Sequence, residues 1–187
     1  SKFGIFELGM NHAGEIAALT RQVRPHVAVI TTIAPAHIEM LGSEEAIADA
    51  KGEIFEGLEA TTSGPGGVAI IPADSPHYAR LKDKAERHAG AVVSFGRAPH
   101  ADVRLLDAVP APGGGSLVTA DLGDRRVCFT VAEPGEHWVS NALAVMAAVR
   151  IGPTADEATD LGPLSSSTHQ AKVAGMVDRA RDYAKVV

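Results

Sequence analysis

Short apolar runs alternate with amphipathic stretches of helical spacing through the first hundred residues of the chain. The run Val27–Ile30 is apolar without interruption, which is typical of a strand covered on both faces. In the stretch before it, Ile16, Leu19 and Val23 recur at the spacing of one helix face. Because strands and helices that alternate with short connections form a parallel sheet with right-handed crossovers, the chain is predicted to be an α/β protein.

The same patterns place the individual elements. Strands of the parallel sheet are expected at Gly4–Met10, Val27–Ile30, Val68–Ile71 and Ala91–Phe95. The first helix is expected to be capped by Asn11 or His12, and the later helices to cover Ser43 to about residue 60, Ser75–His88 and Glu136–Arg150. Three further strands are joined by Pro/Gly turns with no helix between them, at Ala101–Ala108, Ser116–Asp121 and Arg126–Val131. This pattern predicts a small antiparallel meander.

Composition limits the class of protein. With 187 residues, 45% hydrophobic and 21% charged, the chain is long enough to bury a core and is not disordered. A net charge of −6 argues against a nucleic-acid partner or an anionic membrane surface. A single cysteine is typical of a reducing compartment, and we find no signal-peptide pattern or membrane-spanning run. We therefore expect a cytoplasmic protein that is not inserted in a membrane. We also expect it to be monomeric.

Lys51 is the residue whose position most suggests chemistry. On a helical wheel of residues 46–59 it falls among the apolar side chains Ile47, Ile54, Phe55 and Leu58. The acidic residues Asp49, Glu53, Glu56 and Glu59 fall on the opposite side. A lysine in an apolar stripe is either a stem that reaches solvent or a functional amine. Burial lowers a lysine pKa, and the neutral amine can add carbon dioxide to form a carbamate that binds a divalent cation.

Two further side chains are predicted near the carboxyl ends of neighbouring strands. His37 follows the strand that begins at Val27, and Glu7 lies within the apolar run of the first strand. Taken singly, a loop histidine is usually solvated and a glutamate on an edge strand faces water. At the carboxyl edge of one sheet, however, both would face the same crevice. A carboxylate, an imidazole and a carbamate suit Mg²⁺ or Mn²⁺ better than Zn²⁺.

Four motifs occur in order along residues 3–150. Glu7–Ile16 reads E-x-G-x-N-x-x-G-E-I, and it is followed by Ala36–Glu39 and by Ala50–Ile54. Near the end, His137 and Asn141 occupy a block similar to H-N-x-x-N-A-L-A. Together these motifs resemble the Mur ligase family of bacteria. The Gly-Glu-Ile run at 14–16 resembles the run found at this place in the MurF type of that family.

The resemblance implies an ATP-dependent amide ligase of peptidoglycan precursor synthesis, built on a mostly parallel sheet with flanking helices and a small antiparallel segment. ATP would phosphorylate the carboxylate of UDP-N-acetylmuramoyl-tripeptide, and the amine of D-alanyl-D-alanine would attack the acyl phosphate. Glu7 would hold one Mg²⁺. His37 and carbamylated Lys51, the implied catalytic residues, would hold a second. Asn141 would contact the adenine, with His137 in the same nucleotide block.

The resemblance covers residues 1–152, which we interpret as a central ATPase-type domain. The family's phosphate-binding loop lies upstream of the position of Glu7, and this chain has no match to it or to the family's C-terminal domain. Residues 153–187 are interpreted as a tail made of a linker and a helix. We therefore expect the full-length protein to be a ligase and this chain alone to be inactive.

Other functions stay open at this point. A related ligase of the folylpolyglutamate or cyanophycin synthetase type would use the same ATP chemistry, although the run at 14–16 disfavours it. A non-catalytic α/β binding module would keep the scaffold without the reaction. A hydrolase would use His37 with a metal-bound water.

Overall fold

The strands form one six-stranded sheet whose spatial order follows the chain. The computed structural model describes residues 4–35, 38–60 and 64–150. Its strands are β1 Val27–Val29, β2 Gly66–Pro72, β3 Ala89–Gly96, β4 Val103–Pro110, β5 Ser116–Asp121 and β6 Arg126–Val131. Strands β1 to β4 pair in parallel, and β4, β5 and β6 pair antiparallel. The predicted combination of a parallel sheet with an antiparallel meander is confirmed.

Five α-helices and one 3₁₀ helix occur in the described residues. They are α1 Glu15–Val23, α2 Ile38–Leu41, α3 Glu44–Gly52, the 3₁₀ helix Glu53–Gly57, α4 Tyr78–Glu86 and α5 Glu136–Arg150. The helix predicted from Ser43 is therefore a composite, because the α-helical part ends at Gly52 and the rest is 3₁₀. None of the helices described here has the length and apolarity needed to cross a bilayer.

The core lies on both faces of the sheet. Ala69 and Ile71 of β2 pack in one buried cluster with side chains of α3, the 3₁₀ helix and α4. Because side chains alternate along a strand, Val68 and Ile70 point to the other face, where α5 contacts β2. The buried side chains of α5 are Val139, Leu143, Ala144 and Ala147. This arrangement covers the continuous apolar run of β2 on both sides.

The first helix buries a different face from the one predicted. Its buried residues are Ile16, Ala17 and Thr20, whereas Leu19 is 39% exposed. Thr20 is polar but fully buried, and its Oγ1 donates a hydrogen bond to the carbonyl oxygen of Ile54, 2.8 Å away. Because this hydrogen bond satisfies the hydroxyl, the helix can pack its threonine face on the 3₁₀ helix without the cost of an unpaired buried polar group.

The segment at residues 4–10 is not a strand, so the prediction at Gly4–Met10 is wrong. Ile5 is 99% exposed and Phe6 is 65% exposed, and only Met10 at the end of the segment is buried. A strand is stabilised when a neighbour pairs with its N–H and C=O groups. No described strand pairs with this segment. Glu7 is consequently exposed rather than enclosed in a covered strand.

The described residues end at Arg150. The predicted tail at 153–187 lies outside them, and so do residues 151 and 152 at the end of the predicted first domain. The boundary predicted at residue 152 therefore stays a prediction.

Candidate functional site

Lys51 lies near the carboxyl end of α3 in a partly buried position. Two of its predicted neighbours on the helix face, Ile47 and Phe55, are fully buried. The Lys51 Nζ donates a hydrogen bond to the carbonyl oxygen of Thr32, 2.8 Å away. Thr32 follows β1, so this bond places the amine just beyond the carboxyl end of a parallel strand, where α/β proteins form their sites.

The surroundings of Lys51 also change its acid–base behaviour. Burial lowers the pKa of the Lys51 amine below its ordinary value, because a partly desolvated ammonium is disfavoured relative to the neutral amine. A lower pKa increases the fraction of neutral amine at a given pH. The neutral amine is the nucleophilic form, so burial shifts the Lys51 side chain towards the form that can react.

His37 lies outside the described residues, together with Ala36. The chain enters this gap at Pro35, after β1, and leaves it at Ile38, the first residue of α2. The expected convergence of the His37 imidazole with the Lys51 amine therefore stays a prediction.

The predicted cation ligands are not gathered in the described residues. Glu7 is exposed on the irregular segment, and the part of the chain that is described contains no group of three or more His, Cys, Asp or Glu side chains placed to hold a metal ion. The carboxylate of Glu7 and an imidazole at His37 are suitable donor types for Mg²⁺ or Mn²⁺. The ammonium form of Lys51 has no lone pair to offer a cation. A carbamate on the same nitrogen is an anion with oxygen donors, so Lys51 would be a suitable ligand in that form.

Glu53 is the residue that the helical wheel misplaced. It was predicted on the polar side, but it is only 8% exposed. Its Oε1 accepts a hydrogen bond from the Gly14 N–H at 2.7 Å, and its Oε2 accepts one from the Ala17 N–H at 3.1 Å. The wheel shows only which side of a helix is polar, and here that side is covered by α1, which packs against the 3₁₀ helix. This packing brings the first turn of α1 to the Glu53 carboxylate.

The start of α1 explains why a remote carboxylate is needed. The N-cap position is Gly14, with φ 88°, so no side chain is available there to accept the free N–H groups of the first turn. The prediction that Asn11 or His12 caps the helix is wrong. Glu53 accepts two of these N–H groups from outside the helix, and a glycine at the cap position is the one local signal that pointed to such a partner.

Glu15 holds the turn that precedes α1. Its Oε2 accepts hydrogen bonds from the Asn11 N–H at 2.7 Å and from the His12 N–H at 3.1 Å. Its Oε1 lies 3.1 Å from Nδ1 of the His12 ring. The hydrogen bond from the Asn11 N–H, followed by those from His12, lowers the pKa of Glu15 from 4.5 to about 2. The glutamate of the Gly-Glu-Ile run thus has a structural role in this chain.

Acidification is expected to loosen this turn as the pH falls from about 4.5 towards 2. The folded-state pKa of Glu15 lies below its ordinary value, so its stabilisation is complete above the ordinary value and is lost as the carboxylate protonates in the folded state. An NMR titration of the Asn11 and His12 amide shifts should give a midpoint near 2. A Glu15→Gln variant should show no such titration, and a midpoint near 4.5 in the parent chain would contradict the assignment.

A cavity of about 430 Å³ lies between the turn before α1, α2 and α3. Its lining includes His12, Met40, Asp49 and Glu53. Of the predicted ligands that the structure describes, neither Glu7 nor Lys51 lines this cavity. A larger cavity of about 720 Å³ lies along β3 and α4, and none of the predicted site residues within the described ranges line it.

The predicted nucleotide residues lie at the start of α5. His137 is exposed, and its ring centroid lies 5.4 Å from that of Trp138. Asn141 is partly buried one turn further along the helix. Residues four apart share a helix face, so His137 and Asn141 are neighbours there. The expected contact of Asn141 with adenine stays a prediction.

The sequence and the fold are both similar to those of Mur ligases. Residues 1–149 match the model of the Mur ligase middle domain. The chain is 35% identical over 154 residues to the UDP-N-acetylmuramoyl-tripeptide–D-alanyl-D-alanine ligase of Haemophilus influenzae, a match that covers 82% of this chain and 31% of that enzyme. It is 36% identical over 126 residues to the UDP-N-acetylmuramate–L-alanine ligase of Saccharopolyspora erythraea, covering 66% of this chain and 24% of that enzyme.

The fold is similar to that of MurF from Acinetobacter baumannii, with a TM-score of 0.66 and 30% identity, covering 76% of this chain and 29% of that one. This chain therefore spans less than a third of the length of each of these relatives. The family match extends over nearly all of the described residues and includes the four motifs that first pointed to it. The chain belongs to the Mur ligase family, and residues 1–149 correspond to its middle domain.

Proposed function

We propose that the protein to which this chain belongs is an ATP-dependent amide ligase of the MurF type. It would join D-alanyl-D-alanine to UDP-N-acetylmuramoyl-tripeptide through an acyl phosphate, in the cytoplasmic synthesis of peptidoglycan precursors. The observation that carries the proposal is the partly buried Lys51 amine beside Thr32, at the carboxyl end of β1, in a chain that matches the Mur ligase middle domain. Since this chain spans about a third of such enzymes, the activity is proposed for the whole protein.

Within this proposal the chain provides ligands and positions them. Glu7, His37 and Lys51 would hold Mg²⁺ or Mn²⁺, with Lys51 in its carbamate form. When bound, such cations neutralise the charge of phosphate oxygens during phosphoryl transfer. The Thr32 carbonyl orients the Lys51 side chain, and Asn141 with His137 would bind the nucleotide from α5.

The lowered pKa of Lys51 supports the carbamate. The lone pair of the neutral amine adds to the carbon of carbon dioxide, and a proton leaves the nitrogen, so the product is an anion with two oxygen donors. An ammonium cannot react in this way, because its lone pair is occupied by the proton. The same burial that disfavours the ammonium therefore favours the reacting form.

We also propose that residues 1–152 form the central ATPase-type domain and that residues 153–187 are a separate tail. The match of residues 1–149 to the middle-domain model supports the first part.

A substrate panel with the full-length protein tests the proposed function. Phosphate release from ATP is expected only when UDP-N-acetylmuramoyl-tripeptide and D-alanyl-D-alanine are both present. A second candidate is the L-alanine-adding type, because this chain is also 36% identical to such a ligase. Release with UDP-N-acetylmuramate and L-alanine would favour that candidate. Release with a folate or polypeptide acceptor would overturn both, and release without any acceptor would indicate a hydrolase.

A further inference from the structure

Glu53 is a buried carboxylate whose hydrogen-bond partners all belong to another helix. Its oxygens accept from the N–H groups of Gly14 and Ala17 at 2.7 and 3.1 Å. An ionised carboxylate is costly to bury unless hydrogen bonds replace its water. Here the replacement comes from the first turn of α1, where the helix dipole also favours a negative charge. The contact is therefore a strong tether between α1 and the 3₁₀ helix.

This tether joins the two segments that carry predicted ligands. Glu53 follows Lys51 by two residues on a continuous helical stretch, so the two side chains share one rigid support. On the other side, Gly14 ends the turn that leads back to the segment carrying Glu7. Met10 anchors this segment in a small buried cluster with Ile16, Ile47 and Ala50, which links the turn to α3 a second time.

We infer that Glu53 is a positioning residue of the ligase site, which sets the place of the segment ending at Gly14 relative to the Lys51 amine. The inference rests on the proposed function, because it assigns Glu53 a task in that site. Glu53 has no role of its own in the chemistry. It acts through the backbone N–H groups that it holds.

The test uses the full-length enzyme with Glu53→Gln. A glutamine keeps one carbonyl acceptor but turns an N–H₂ group towards the second N–H, so one of the two hydrogen bonds is lost. We expect kcat to fall about 10- to 100-fold, as is typical when support of a metal ligand is removed, with little change in the KM for D-alanyl-D-alanine. Calorimetric titration of the nucleotide-free enzyme with Mg²⁺ should show about tenfold weaker binding.

Glu56→Gln is the matched control. Glu56 lies on the same 3₁₀ helix and also reaches α1, but it does so through an ion pair with Arg21 near the surface, 2.8 Å away. Its replacement is expected to leave kcat and Mg²⁺ binding unchanged. Thr20→Val is a second control, because it removes the hydrogen bond from Thr20 to Ile54 between the same two elements and so reports the effect of lost stability alone.

If Glu53→Gln does not fold, Glu53→Asp replaces it, since aspartate keeps the charge but is one methylene shorter and cannot reach both N–H groups. Values of kcat and Mg²⁺ affinity equal to those of Thr20→Val and Glu56→Gln would overturn the inference. A failure of the proposed function has a different signature, because the unmodified enzyme would then show no ligation of D-alanyl-D-alanine at all.

Discussion

Replacing Lys51 by alanine in the full-length protein is expected to lower kcat by roughly 10²- to 10³-fold, the range seen when a group that stabilises transition-state charge is removed. The expectation follows from the place of the amine, which is partly buried and held 2.8 Å from the Thr32 carbonyl oxygen. Alanine removes both the hydrogen bond to the Thr32 carbonyl oxygen and the nitrogen that would carry the carbamate. Steady-state phosphate release with the tripeptide and D-alanyl-D-alanine measures the effect.

Two further variants separate the carbamate from the positive charge. Lys51→Arg keeps a cation that can donate to Thr32, but a guanidinium stays protonated and does not add carbon dioxide, so it should be as inactive as Lys51→Ala. Lys82→Ala removes an exposed lysine of α4 whose Nζ lies 3.8 Å from Glu86, and it should keep normal turnover. An active Lys51→Arg enzyme would refute the carbamate, and an active Lys51→Ala enzyme would refute the proposed site. Intact mass in bicarbonate buffer detects the carbamate directly.

Replacing Gly57 by alanine is expected to destabilise the fold by about 2–4 kcal/mol, from steric overpacking and a weakened buried hydrogen bond. A Cβ at Gly57 would lie 2.4 Å from both the carbonyl carbon and the carbonyl oxygen of Thr20, and 2.5 Å from its Oγ1. Two of these three atoms are backbone, so no rotamer change can relieve the contact. Helix α1 would have to move away from the 3₁₀ helix and strain the bond from Thr20 to Ile54.

Urea unfolding of the chain measures this loss, with Gly9→Ala as the matched control. A Cβ at Gly9 has no atom within 4 Å, and its φ lies outside the left-handed region, so this second substitution should change the unfolding free energy by less than about 0.5 kcal/mol. If Gly57→Ala unfolds at the same urea concentration as Gly9→Ala, the close packing of α1 on the 3₁₀ helix is contradicted.

The local pattern of apolar residues was sufficient to predict an element where that element is a strand buried on both faces or a helix buried along one stripe. The apolar runs at Val27–Ile30 and Val68–Ile71 became β1 and β2, and the turns after residue 100 gave the antiparallel meander. The apolar setting of Lys51 was also predictable, since Ile47 and Phe55 share its helix face and are buried. Pattern failed for residues 4–10, because a strand also needs a pairing partner, and partners are not encoded within the segment itself.

The amino-acid order alone therefore established the α/β class, the motifs of the family and an apolar helix face with a lysine in it, because these depend on side-chain periodicity and on residue identity. The three-dimensional packing decided the role of Glu53. Its carboxylate became buried because α1 packs against the 3₁₀ helix and begins at a glycine that cannot cap itself. The two hydrogen bonds of Glu53 join residues 39 and 36 positions apart, and no local pattern contains such a relation.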